Sequence, residues 1–237
     1  MAGVWLKSCL GLAASLALAA CEGELAGLAG GSGAADGKPA VSKAVGQREA
    51  TVTRNKVRLT APDGFCVDPQ STRATQAQAF VVFGNCAAIT GNPEEPQPYV
   101  RAITTATVTS SGLTGDGAVA PQVAKLNAFF RTADGRAALS RTRKAETVTV
   151  LDGFTERGTL FLRVKDTSPT SFDGAEDSYW RAYFDAGGSV LAMSVIGFTN
   201  APITSAEGLD TLRGFVGRNR KPIKTITADA GAKPTGG

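Results

Sequence analysis

Apolar and polar residues follow several different rhythms along this chain, and each rhythm predicts a different element. Residues 9–20 are an almost unbroken apolar run, with Lys7 before it and small residues at its end. That is the layout of a secretory signal peptide. Residues 21–48 then turn to Gly, Ala and Ser with little that can pack, which predicts a flexible linker. At ~25 residues such a linker reaches about 25–30 Å. Folding is expected to begin near Thr51, where Val52, Val57 and Leu59 interleave with Arg54, Lys56 and Arg58 as in one half-exposed strand. Ala61-Pro62-Asp63-Gly64 ends it as a turn.

Further on, residues 71–78 predict a short helix capped by Ser71. The continuous apolar run over residues 79–83 predicts a buried central strand, and residues 99–109 another strand after a proline-rich loop. Pro121, Val123, Leu126, Phe129 and Phe130 sit at helical spacing, giving a helix over 121–131 that Asp134-Gly135 should break. Strands are expected over 147–151, 159–165, 178–185 and 190–198, with Asp152-Gly153 and Gly187-Gly188 as turns. In the strand over 178–185, Trp180, Ala182 and Phe184 point one way and Tyr179, Arg181 and Tyr183 the other. Thr204-x-x-Glu207 is a capping-box pattern opening a helix over 204–217, with Leu209, Leu212, Phe215 and Val216 as its stripe. The sum is an α+β protein: one antiparallel sheet of six to seven strands with two packed helices, after a signal peptide and flexible tether. The expected division is a signal peptide over 1–20, a linker over 21–48, one domain over 49–225 and a disordered tail over 226–237.

Leu18-Ala19-Ala20-Cys21 at the end of the apolar run resembles the lipobox of bacterial lipoproteins. The resemblance implies that the Cys21 thiol carries a diacylglyceryl group and becomes the first residue of the mature chain. Ordinary cleavage after Ala17-Leu18-Ala19 is the competing reading, and an uncleaved span is too short against the ~20 residues a bilayer needs. Cysteine usage fits the lipobox. Cys9 leaves with the signal, Cys21 is lipidated, and Cys66 and Cys86 remain as one pair, read as a structural disulfide in an oxidising compartment. Glu22 follows Cys21, and by resemblance to the enterobacterial sorting pattern this favours the periplasmic face of the outer membrane over the inner membrane.

Composition narrows the function. Apolar residues make up 43% of the chain, enough for a core. The formal charge of +4 is mild and falls by one when Lys7 leaves, so no nucleic-acid partner is expected. The chain has no histidine, which excludes Ser-His-Asp and Cys-His catalysis and the usual histidine-containing zinc sites. No cofactor motif is present, and none is expected to bind. Four groups of residues remain as candidates. Asp63, Asp68 and Arg73 either cap turns or line a cleft. Asp152, Glu156, Asp173, Glu176 and Asp177 are either solvated loop charge or a carboxylate pair or calcium site. Arg213, Arg218, Arg220, Lys221 and Lys224 either complement the dipole of the last helix or contact an anionic lipid surface. Tyr179, Arg181 and Tyr183 are either an ordinary sheet face or a ligand-binding surface.

The segments Ala61-Pro62-Asp63-Gly64-Phe65-Cys66-Val67-Asp68-Pro69 and Phe80-Val81-Val82-Phe83-Gly84-Asn85-Cys86 are similar to a segment of uncharacterised alphaproteobacterial envelope proteins. That similarity also implies the pairing of the two cysteines. The opening strand with its Ala-Pro-Asp-Gly-Phe turn, and the closing hairpin and helix, loosely resemble the PsbP-like fold. The leading expectation is a non-enzymatic envelope lipoprotein that binds membrane through Cys21 and meets an envelope protein or anionic lipid. A carboxylate-based hydrolase or a periplasmic small-ligand-binding protein is the alternative.

Overall fold

Ten strands and four helices form over residues 45–110 and 119–220, the part of the chain that the computed structural model describes. In chain order they are β1 (Glu49–Val52), β2 (Val57–Thr60), β3 (Phe65–Val67), β4 (Arg73–Ala74), β5 (Gln78–Asn85), α1 (Cys86–Thr90), β6 (Ala102–Thr109), α2 (Val123–Phe129), α3 (Ala133–Leu139), β7 (Val148–Glu156), β8 (Thr159–Asp166), β9 (Ala175–Ala186), β10 (Ser189–Phe198) and α4 (Ser205–Asn219). The main sheet runs β3-β5-β6-β10-β9-β8-β7, with β4 also paired to β5. Its pairs are antiparallel. The class is therefore α+β as expected, but the sheet has eight strands rather than six or seven, and more than two helices accompany it.

The differences are local and have physical causes. Residues 52–59 are not one strand. Thr53 and Lys56 adopt φ of 64° and 48°, so β1 folds back on β2 as a separate hairpin. The left-handed region is unfavourable for a β-branched residue. Here it is held by the Arg54 amide, which donates to the Gln76 carbonyl, and by the Lys56 amide, which donates to that of Thr53. The expected helix over 71–78 is absent, because Arg73 and Ala74 pair with Phe80 and Ala79 and extend the sheet instead. Asp152-Gly153 is no turn either. β7 runs through it with a bulge between Val150 and Asp152, and the chain reverses at Arg157-Gly158. A side chain at Gly153 would meet Asn127 and Leu162 within 3 Å, so the glycine serves the close approach of α2. Asp134-Gly135 does not end helical structure, since the Thr132 side chain accepts from the Gly135 amide and starts α3.

The two faces of the sheet are covered differently. On one face, Val81, Phe83, Ala106, Met193, Trp180 and Phe184 pack with Leu212, Phe215 and Val216 of α4 and with Leu59 of the β1–β2 hairpin. The capping box at Thr204 and Glu207 forms as expected, and Asn219 ties the far end of α4 to β2 by bonding both the amide and the carbonyl of Thr60. On the opposite face, Leu160, Leu162 and Val164 are covered by Phe130 and Leu139, from the ends of α2 and α3. That cover lies over β7, β8 and β9.

Cys66 and Cys86 form a disulfide that joins β3 to the first turn of α1. The chain enters the described domain across this bond. A Cβ on Gly46 would sit 2.3 Å from the Cys66 Sγ, so only glycine passes there. The Gly46 amide donates to Glu95 Oε1, and the Val67 amide donates to the Gln47 carbonyl.

Candidate ligand groove on the open face of the sheet

Alternation along β9 decides what its second face presents. Trp180, Ala182 and Phe184 enter the core under α4, so Tyr179, Arg181 and Tyr183 emerge on the opposite face. Register places Ser194 beside Arg181, and Thr105 beside Ser194. Phe80 and Val82 follow on β5, opposite Thr107 and Thr105. The loop between β8 and β9 brings Thr170, Ser171 and Phe172 over this row. Phe80, Thr105, Thr107, Ser194, Tyr179 and Arg181 of this row line, with that loop, a cavity of about 180 Å³, which also touches Leu139, Arg141 and Ile196. No Asp or Glu lines it.

The two arginines there are in different states. Arg141 is satisfied: its amide and its Nε donate to Asp166 Oδ2 at 2.9 and 3.1 Å. The Asp166 side chain is fully buried, and its Oδ1 accepts from the Ser168 amide. Burial pushes the Asp166 carboxyl up, but the bonds from the Arg141 amide and from Ser168 outweigh it and hold it below the ordinary carboxylate value. Asp166 thus stays ionised and neutralises Arg141.

Arg181 has no such partner. Among the described residues it forms no ion pair, and its Nε is buried without an acceptor. Its guanidinium lies 5.3 Å from the centroid of the Tyr183 ring, which in turn stacks on Phe130 at 4.8 Å. This stack orients the guanidinium and supplies a cation–π contact, but not a counter-charge. Burial works against the Arg181 charge, but its interactions with Tyr183 and Tyr179, a side-chain hydrogen bond to Tyr179 among them, outweigh it and hold its pKa above the ordinary value. Burial raises both tyrosines, so they remain neutral phenols. The cavity therefore holds one unanswered positive charge beside the hydroxyls of Thr105, Ser194 and Tyr179.

The other candidates do not converge. Asp63, in the turn before β3, pairs with Arg48 ahead of β1, and Asp68 caps its own turn by accepting from the Gln70 amide. Arg73 bonds the carbonyls of Gln70 and Thr72. Glu156 pairs with Arg213 at 2.8 Å, and Asp152 accepts from the Gly153 amide. Asp173 and Asp177 are exposed, and Glu176 lies against Gly197. Glu156 is thus held in a surface ion pair and Asp152 on its neighbour's amide, and the described residues hold no group of three His, Cys, Asp or Glu side chains that could hold a metal ion. In the basic group, Arg213 is occupied by Glu156, Asp210 and the Phe154 ring, Arg218 is exposed and Arg220 half-buried. Cys21, Lys221 and Lys224 lie outside the described residues. Sequence reasoning named Tyr179, Arg181 and Tyr183 but missed Thr105, Ser194, Arg141 and Phe172. For Thr105 and Ser194 the available signal is a small polar residue within a largely buried strand; Arg141 and Phe172 carry no such signal.

Among the described residues no helix is long and apolar enough to cross a membrane. No family model, curated protein or solved structure matches the chain.

Proposed function

We propose that this chain is a lipid-anchored protein of the bacterial cell envelope. Its folded domain is a non-enzymatic binding module, and the open face of the sheet is its binding surface. The anchor rests on the lipobox resemblance at Leu18-Ala19-Ala20-Cys21, on the Gly/Ala/Ser linker after it and on the cysteine arithmetic. Outer-membrane placement rests on Glu22. One structural observation carries the binding reading: Arg181 is recessed in a cavity without a carboxylate partner among the described residues. Arg181 is half-buried, and a charge drawn partly out of water without a counter-ion is costly to a fold.

Two experiments test the two halves. Cys21→Ala is expected to move the protein from the membrane pellet to the soluble fraction after cell fractionation. A variant that stays with the membranes removes the anchor. Arg181→Met is expected to leave the thermal midpoint unchanged or raised, because a half-buried charge with no carboxylate partner is replaced by an apolar chain of similar length. If Arg181 is instead structural, the variant loses 3–5 kcal/mol or so, the usual cost of breaking a buried polar network. Thermal melting separates the two.

A further inference from the structure

The cavity around Arg181 does not end at Phe172. That ring also lines a second cavity of about 340 Å³, bounded by Val82, Ile89, Ile103 and Phe198. The two adjoin along the sheet. Val82 belongs to the second and stands opposite Thr105 of the first, and Ile103 lies two residues from Thr105 on the same face of β6, about 7 Å along the strand. The second cavity reaches α1, which begins at the disulfide. Its charged groups, Asp68 and Arg101, are opposite in sign and both reach solvent. One open face thus has a cationic end with hydroxyls and an apolar end without a net charge.

We propose that this groove binds an anionic amphiphile of small-molecule size. A carboxylate or phosphate head is held by Arg181 and the hydroxyls of Thr105 and Ser194, and an acyl or aryl body lies along Val82, Ile89, Ile103 and Phe198. Guanidinium recognises both head groups, by two parallel hydrogen bonds. A free inorganic anion would satisfy the arginine and leave the apolar end empty. A neutral lipid would fill that end and leave the arginine unanswered. Only a molecule with both parts answers both ends. The recessed position of Arg181 argues for a small ligand rather than a flat macromolecular surface, and pockets that bury small ligands are mostly apolar with a few placed polar groups.

This inference rests on the binding-module reading above. Its test is a titration of the full-length protein, extracted from membranes in a maltoside detergent, with the thermal midpoint as readout. The probes are octanoate, octyl phosphate, octanol, acetate and inorganic phosphate. At least one of octanoate and octyl phosphate should raise the midpoint saturably, with an apparent affinity at least tenfold above that of octanol, acetate and inorganic phosphate. The tighter of the two identifies the head group as carboxylate or phosphate. Arg181→Met should remove the tenfold preference over octanol, and Ile103→Trp, which fills the apolar end, should weaken the tighter of the two anions tenfold while sparing the fold. Octanol binding as tightly as either anion overturns the proposal, as does inorganic phosphate matching octyl phosphate, or no shift with any amphiphile. These comparisons use the wild-type protein, so they stand even if a variant fails to fold. A stable Arg181→Met protein with no amphiphile preference in the wild type sinks the ligand class and leaves the binding module. A strongly destabilised Arg181→Met protein sinks the binding module itself.

Discussion

Phe215→Ala is expected to destabilise the domain by about 3–5 kcal/mol, the usual range for a fully buried aromatic cut back to alanine. Phe215 has no exposed surface and sits where α4 meets the sheet. Its ring makes an edge contact with Phe65 at 5.2 Å and a tilted contact with Phe83 at 5.4 Å. The substitution therefore removes apolar burial, leaves a cavity that α4 cannot close, and breaks two aromatic pairs at once. Domains of this size have only about 5–15 kcal/mol to lose, so a large part of the stability would go. Urea unfolding followed by circular dichroism measures it. Phe215→Leu, which keeps most of the volume, should cost under about 1.5 kcal/mol. Tyr99→Ala, at a residue 91% exposed, should stay within about 0.5 kcal/mol. A Phe215→Ala loss no larger than the Tyr99 effect would mean that α4 is not seated as described.

The second large effect concerns the disulfide. Replacing both Cys66 and Cys86 by alanine should lower stability by about 3 kcal/mol, the chain-entropy value for releasing a loop of this length. The bond closes 20 residues that contain β4 and all of β5. It also fixes the place where the chain enters the domain, since Gly46 packs against Cys66. Mapping peptides without reductant should recover the Cys66–Cys86 pair, and a reductant should lower the denaturation midpoint of the wild type but not of the double variant. If both proteins respond alike, the bond does not carry this stability.

Much of this fold was legible because local and tertiary signals agreed. The capping box at Thr204 and Glu207 and the stripe through Leu212, Phe215 and Val216 describe α4 without knowledge of its partners. Strict alternation over 178–185 gave both faces of β9, and Gly187-Gly188 its turn. The misreadings occur where non-local pairing overrode a local pattern. Thr53 and Lys56 take left-handed conformations that neither residue type announces, and Asn55 between them is the one turn residue the sequence offers there. Ser71 looked like a helix cap, but β5 offered Arg73 and Ala74 an edge to pair with. Asp152-Gly153 carries turn residues yet meets a bulge, because α2 needs the space at Gly153.

The site follows the same division. That Tyr179, Arg181 and Tyr183 share a face follows from period-two geometry. That Arg181 lacks a counter-ion while Arg141 has one depends on Asp166, 25 residues from Arg141, and on a loop that carries Phe172 across the sheet. Neither is written in spacing. The acids that looked like chemistry in the sequence are turn caps and surface pairs in the fold, whereas the groove is built from threonines, a serine and aromatics that attract little notice in a linear reading.

The anchor is the claim on which the envelope reading depends, and intact mass of the protein purified from membranes tests it most directly. The predicted result is a chain beginning at Cys21, heavier than its sequence by a diacylglyceryl group or by that group with a further acyl chain, and with Cys66 and Cys86 oxidised. An unmodified chain, whether it begins at Cys21, at Ala20 or at Met1, would contradict it.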